Sequence, residues 1–479
     1  MQALLARLRE LGKTRTYEQV GLEEQRKLAV DNLRGYVVKS NHFPLNSAQT
    51  IYCANVQSQK YWYPPQFFSY RISGRLDVEA MIRAVQELVE RHDALRVLLL
   101  ETSGSYSSQQ VQNSPSSERL ITCKEIRNAT EQQFDKYVQT AFIRDIKDPF
   151  DHVCDYPFRF QLLRYSGEHH AFIGAVSRLI LDGVGRSMLM HDLWWFYERY
   201  ARNNPSSWNE ITEAKRAKGV LTFAEACRRR AQDRRLSKPT DFWARQAAKF
   251  PEPWQFDQAL RQTTHTEQGA PYTESLDITA TERLKRLAKA SGTSPFQWAI
   301  VALSAAAFRI SDASRIAIHV TMDTRIAPER NTAGAFAVAL PLIISRAENP
   351  AMLLHEVGTA TLRAAAYRNA PAEQIIAMYG AISNRPSDST IAAIEQHLTG
   401  ERTTDICGLR IRQGTYSPAV DFKTIGILIY VIYRETGFWV KFSFSRNLFS
   451  EGASQKVKVI IQSFLQAAEE GTSWSNAYR

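Results

Sequence analysis

Residues 171–176 form an unbroken apolar run that stops at Ser177-Arg178-Leu179-Ile180-Leu181-Asp182-Gly183, and apolar residues resume at helical period over residues 187–200. A short apolar run reads as a buried strand, Asp-Gly marks a tight turn, and the helical period marks a helix packed on a core. The stretch therefore predicts strand, turn and helix in direct succession. Function is expected on that turn, where loop side chains are held by the scaffold beneath them.

A chain of 479 residues is too long for one core and suits two layered subdomains. With 44% hydrophobic and 23% charged residues, its composition is that of a globular protein. No apolar run approaches the roughly 20 residues that span a bilayer, and residues 1–13 alternate Leu with Arg and Glu, unlike a secretory leader, so a cytoplasmic location is expected. Cys53, Cys123, Cys154, Cys227 and Cys407 are scattered and include no Cys-x-x-Cys pair, which argues for reduced, packed thiols and against a disulfide framework or a zinc site. The formal charge of +11 draws acidic partners. Nucleic acid is not expected among them, because no zinc-finger spacing, basic-aromatic RNA motif or helix-turn-helix is present.

Along the chain, residues 1–12 place Leu4, Leu5, Leu8 and Leu11 on one helical face, and residues 21–36 read as a second helix. Residues 77–91 form a helix with Asp77 as N-cap and Val78, Ile82, Val85, Leu88 and Val89 as its apolar face. It runs into Arg91-His92-Asp93-Ala94-Leu95-Arg96, a hinge with cations at the helix C-terminus, so His92 is not nominated as catalytic. Residues 102–117 contain seven serines and no period, and read as an exposed loop. A helix over 130–142 and a strand over 170–176 follow, and Trp194-Trp195-Phe196-Tyr197 at helical spacing gives a core face with one exposed ring. The polar residues 203–219, with Pro205, Ser206 and Ser207, mark a linker. Beyond it the pattern predicts a strand over 274–278, a helix from Thr281, a helix with Ser294 as N-cap and Pro295 at its first position, strands over 316–322 and 336–344, a hairpin of 424–433 with 437–444, and a closing helix over 454–468.

Several short motifs occur in a fixed order: Phe43-Pro44-Leu45-Asn46-Ser47-Ala48-Gln49, Arg91 to Arg96, Asp148-Pro149-Phe150-Asp151, Asp182-Gly183, Asp241-Phe242-Trp243, Asp323-Thr324-Arg325 and residues 333–342. Together, over residues 40–470, they resemble the condensation domains of nonribosomal peptide synthetases, within the chloramphenicol-acetyltransferase-like superfamily. The resemblance implies an α/β fold of two acetyltransferase-like subdomains, 40–202 and 220–479, set as a V with a tunnel between them. It implies acyl or peptidyl carrier proteins as partners, delivering substrates on phosphopantetheine arms, with no cofactor bound by the chain itself. Residues 1–39 are then a cover or a docking segment for another synthetase subunit. Two departures stand out. Ser177 and Arg178 occupy the places of two histidines in the family, and Val338 and Ala339 those of an Asn and a Thr.

Condensation requires an amine or hydroxyl to attack a thioester, with removal of a proton and stabilisation of a tetrahedral oxyanion. Arg178 cannot serve as base, because its guanidinium holds donors only, but it can bind an oxyanion or a phosphate, or block the tunnel. Ser177 is a weak nucleophile, and nothing near it in the sequence supplies a base. His169 and His170 lie at the far end of the strand, with His170 about 23 Å from Ser177 along an extended chain. His191 reads as a surface or packing residue on the following helix, while His319, on the Arg325 strand, can approach the subdomain interface. The resemblance implies that Asp182 pairs with Arg325 across that interface as structure, and Gly183 is read as a turn residue where a side chain would crowd the backbone. Two functions follow. One is a free-standing acyltransferase of nonribosomal peptide or hybrid polyketide biosynthesis, forming an amide or ester without the usual histidine. The other is an inactive module that binds carriers and presents their cargo to another enzyme. Recruiting relatives carry Arg at the position of Arg178, but they also change the Gly that is retained here as Gly183.

Overall fold

The computed structural model describes residues 42–57, 65–102, 105–127, 129–202, 221–233, 237–251, 271–369, 371, 374–376, 391–397, 404–414, 425–434, 437–446 and 448–472. The expected helices of residues 1–39 and the linker at 203–219 lie outside these residues. The first half consists of β1 (His42–Pro44), α1 (Ser47–Gln57), β2 (Gln66–Ser73), α2 (Val78–Arg91), a tight helical turn (Asp93–Arg96), β3 (Val97–Thr102), β4 (Ser105–Val111), α3 (Ser117–Leu120), β5 (Thr122–Glu125), α4 (Glu131–Lys147), β6 (Phe158–Arg164), β7 (His169–Val176) and α5 (Gly183–Ala201). The second consists of α6 (Phe223–Gln232), α7 (Ser237–Ala247), β8 (Tyr272–Ser275), α8 (Ile278–Ala290), α9 (Pro295–Arg309), β9 (Arg315–Asp323), β10 (Ala337–Ser345), α10 (Pro350–Ala366), β11 (Ile391–His397), β12 (Thr404–Ile406), β13 (Leu409–Gln413), β14 (Ile427–Arg434), β15 (Gly437–Phe444) and α11 (Glu451–Glu470).

The apolar run becomes β7, paired antiparallel with β2 on one side and β6 on the other. Both of its faces need cover. One face packs on a core shared with α2 and α5, the other on a smaller core built on α4. The first sheet has the order β12-β13-β2-β7-β6-β5, and a second, β10-β9-β11-β14-β15-β8, organises the other half. There α9 is buried almost all round, from Phe296 to Phe308, as expected of a helix that is apolar on every side.

Cap chemistry sets several boundaries. Asp77 caps α2 by accepting the Ala80 N–H at 3.0 Å, and Thr130 and Gln133 form a reciprocal capping box on α4. Asp277 caps α8, which therefore starts at Ile278 rather than Thr281, and the preceding strand is only Tyr272–Ser275. Likewise α5 starts at Gly183, directly after its cap Asp182, and not at Ser187.

Three other expectations are corrected. Residues 102–117 are not one exposed loop, because Ser105–Val111 pairs with β3 and β1. Its polar residues are tolerated inside because they are bonded: Gln109 is fully buried, and its amide reaches the Gln49 amide and the Pro44 carbonyl. The core division also does not follow the chain at residue 220. Phe223, Ala224, Ala226 and Cys227 of α6 pack in the first-half core, and β13 crosses over to pair with β2, covering an edge that would otherwise stand open. Finally, neither Trp194 nor Trp195 is exposed, both being half-buried against the first core.

Candidate active site

β7 ends at Val176, and the chain must leave the sheet without stranding polar backbone groups. The Ser177 N–H donates to the Pro157 carbonyl at 2.9 Å, and the Ser177 carbonyl accepts from Ile180 and Leu181 at 3.2 and 3.1 Å, closing a tight turn. Leu179, Ile180 and Leu181 are at most 1% exposed. Their burial pins the turn and leaves Arg178 as the one residue of 177–182 that is not buried.

Asp182 ties the turn to the second half of the molecule. Its Oδ1 accepts the Gly185 N–H at 2.7 Å and Arg325 Nη2 at 3.0 Å. Its Oδ2 accepts Arg325 Nη1 at 2.8 Å and the N–H groups of Phe336 and Ala337 at 2.9 and 3.1 Å. The two side chains are 6% and 2% exposed. Burial opposes the Arg325 charge, but Asp182, aided by Asp323, outweighs it and holds the guanidinium above its usual value. With both oxygens filled by donors, this carboxylate has no free lone pair for a further partner.

The crowding assigned to Gly183 belongs to Gly185. A Cβ on Gly183, the first residue of α5 and exposed, would meet nothing within 4 Å, whereas one on Gly185 would come within 2.7 Å of the Leu181 side chain and 3.1 Å of the Gly334 backbone. Gly185→Ala is expected to cost about 1–3 kcal/mol in denaturant unfolding. Gly183→Ala should stay within about 1 kcal/mol of wild type. Equal effects would refute this placing of the close contact.

Ser177 does have a base beside it. His152 Nε2 lies 2.7 Å from Ser177 Oγ, which also accepts the Leu179 N–H at 3.1 Å. Burial holds the imidazole down to about 4, with Asp151 opposing and Arg159 adding to the effect, so it is neutral near pH 7. The Tyr52 ring of α1 meets the His152 ring edge-on with centroids 6.0 Å apart, and burial pushes this phenol up to about 12.

Arg178 is half-buried. Its charge acts on Tyr52 of α1, on Tyr430 of β14 and on Arg186 of α5. Burial pushes Tyr430 up to about 12 against that pull. Burial lowers Arg186, Tyr70 resists this, and the like charge of Arg178 adds to it. His319 pairs with Ala392, which pairs with Leu428, two residues before Tyr430, so all four lie on one sheet face. Burial holds His319 at about 4. The other histidines weighed from the sequence are elsewhere. His169 and His170 stand at the opposite end of β7, and His191 is 59% exposed beside Asp192.

Residues 39–474 match the family described as Condensation domain. The chain belongs to that family. It is similar to the PKS-NRPS hybrid synthetase psoA of Aspergillus fumigatus, at 25% identity over 333 residues, 66% of this chain and 8% of that protein. It is also similar to cyclosporin synthetase simA of Tolypocladium inflatum, at 23% identity over 330 residues, 68% of this chain and 2% of that one. The chain thus spans less than a tenth of the length of these curated relatives. Among solved structures, the X-domain in its complex with OxyB from teicoplanin biosynthesis aligns with a TM-score of 0.71 at 19% identity, covering 92% of this chain and 96% of that one. The first condensation domain of the calcium-dependent antibiotic synthetase aligns at 0.65 and 18% identity, covering 91% and 99%. The fold is accordingly the chloramphenicol-acetyltransferase-like one.

In this condensation domain the other motifs are fasteners. Asn46 and Gln49 exchange backbone and side-chain bonds, and Asn46 Nδ2 reaches the Ala335 carbonyl of the second half at 2.8 Å. His92 bonds Asp192 of α5 at 3.0 Å, Asp93 receives the first N–H groups of α6 from Phe223 and Ala224, and Arg96 fills carbonyls at the end of α2. Among the described residues no three His, Cys, Asp or Glu side chains gather as a metal site, and no helix is long and apolar enough to cross a membrane. His152 and Tyr52 escaped the sequence reading. His152 directly follows Asp148-Pro149-Phe150-Asp151, but only the loop's return to the end of β7 brings it to Ser177, 25 residues on.

Proposed function

We propose that this condensation domain transfers an acyl or peptidyl group from a carrier-protein phosphopantetheine thioester to an amine or hydroxyl, with Arg178 binding the oxyanion of the tetrahedral intermediate. The observation that supports this is that Arg178 is the one residue of 177–182 that is not buried, a cation whose charge reaches Tyr52 of the first half and Tyr430 of the second, on a turn held by the Asp182–Arg325 pair. A fixed cation beside a developing oxyanion needs no reorganisation during reaction. Holding donor and acceptor together lowers the barrier further, by up to about 7–11 kcal/mol.

The test is intact-protein mass spectrometry of an acyl-loaded carrier protein incubated with the domain and a panel of amines and alcohols. Product is expected to form only with the domain present, and Arg178→Ala should lower kcat by about 100-fold or more with a smaller change in KM. A second reading, a module that binds a loaded carrier and recruits another enzyme, also suits an arginine at position 178. The X-domain of teicoplanin biosynthesis, solved in complex with OxyB, shares the fold. Carrier binding by titration without turnover on any acceptor would decide for it. Retention of the two-subdomain body with its interface pair Asp182–Arg325 and of Gly183 favours the transferase.

A further inference from the structure

Phe242 and Trp243, part of a motif that the reaction turn does not use, form one wall of a cavity of about 190 Å³ between α7 and α10, floored by Pro341 and Ile343 of β10. Both rings belong to the second core, and they are only 8% and 1% exposed. That anchorage makes the wall rigid. Phe242 stacks on Tyr367 with centroids 4.2 Å apart, and Trp243 Nε1 donates to the Tyr367 carbonyl at 2.8 Å. The facing wall holds Ala360 and Ala364 of α10, whose methyl side chains leave space that larger ones would fill.

The same face of α10 carries polar groups. Glu356, Thr359 and Arg363 line the cavity at helical spacings of three and four residues, with Glu356 half-buried and Arg363 exposed. Glu356 and Arg363 are two turns apart, about 10.5 Å along the axis, beyond the one-turn spacing at which such side chains pair. Among the described residues neither makes an ion pair, and the Thr359 hydroxyl and the Gln246 amide, in the same lining, have no hydrogen bond. The cavity therefore offers an unpaired carboxylate, an unpaired guanidinium, two neutral polar groups beside them and a rigid apolar wall.

We propose that this cavity binds a free α-amino acid with a small apolar side chain, its ammonium on Glu356, its carboxylate on Arg363 and its side chain against Phe242 and Trp243. An α-amino acid carries both charges on one small head group, so it can lie between two side chains that do not reach each other. The volume sets the upper size: it falls short of the roughly 300–1,000 Å³ of pockets for drug-sized ligands, so a peptide or a pantetheine arm does not fit. The site is also apart from the reaction turn. β10 meets Asp182 at Ala337, whereas Pro341 and Ile343 lie about 13 and 20 Å further along the strand. Binding here does not rest on the acyl-transfer reading.

The experiment is calorimetric titration of the whole chain with L-valine and L-leucine, and with isovalerate and isobutylamine, which each keep one head group of valine. At least one amino acid is expected to bind at one site per chain with a Kd of about 1 mM or tighter. Glu356→Gln and Arg363→Gln should each weaken it about 10-fold or more, as should loss of either head group from the ligand, since a hydrogen bond to a charged group is removed. Ala360→Leu fills the cavity and should abolish binding. Glu356 and Arg363 sit at the rim, so their variants are expected to melt with wild type in the absence of ligand. No saturable binding of either amino acid up to about 10 mM overturns the proposal. So does binding that both rim variants leave unchanged, or isovalerate or isobutylamine binding as tightly as valine. No carrier protein is present, so none of these results bears on acyl transfer.

Discussion

Asp182→Ala lowers unfolding stability by about 3–5 kcal/mol, a large part of the roughly 5–15 kcal/mol available to a domain. The reason is what the substitution leaves behind. Arg325 is 2% exposed, and its remaining acceptors are Asp323 and the carbonyls of Thr332 and Gly334. The N–H groups of Gly185, Phe336 and Ala337 lose their acceptor in the same step, so one change takes one of two carboxylates from a buried guanidinium, uncaps α5 and loosens the start of β10. Urea unfolding followed by tryptophan fluorescence reads the effect directly. A cost below about 1 kcal/mol would mean that the pair is hydrated and does not hold the halves together. The companion variant Arg325→Ala should be as damaging, and the double variant less so than the sum, because each single change deprives the other buried charge of its shared partner.

The second large effect is acid lability. Burial holds both His152 and His319 at about 4, well under the ordinary value of 6.5. A histidine depressed by folding binds its proton more readily in the unfolded chain. Its contribution is therefore complete above 6.5 and is withdrawn as pH falls from 6.5 toward 4. Each group removes up to roughly 3 kcal/mol over that window, and at pH 5 the two together have removed about 4 kcal/mol. Thermal melts between pH 7.5 and 4.5 should show the midpoint falling steeply below pH 6.5, with the fall reduced in His319→Gln. A midpoint unchanged between pH 7 and pH 5 would refute neutral burial of both rings.

Much of this architecture was legible in the residues. The apolar run before Ser177, the N-caps Asp77 and Ser294, and the alternation in β9 and β10 are local signals, and local hydrogen bonding and side-chain period carry them without help from the fold. The order of the short motifs carried the family. Local signals failed where polar residues were satisfied at a distance. Gln109 makes Ser105–Val111 look like a surface loop until Gln49 and the Pro44 carbonyl are brought to it. Residues 404–413 belong to the first-half sheet only because the edge of β2 was open to them.

By itself the sequence determined the family, the strand-turn-helix that carries the site, the loss of both motif histidines, and the charge partners Asp182 and Arg325. Only the tertiary structure decided which residues meet at the turn. It set His152 against Ser177, laid the Tyr52 ring against His152, moved the close contact from Gly183 to Gly185, and left Arg178 as the one residue of 177–182 that is not buried. The physical reason is that period and capping propagate along a few residues of one chain segment. A hydrogen bond between residues 152 and 177 exists only once a loop and a strand end have been fixed by separate cores.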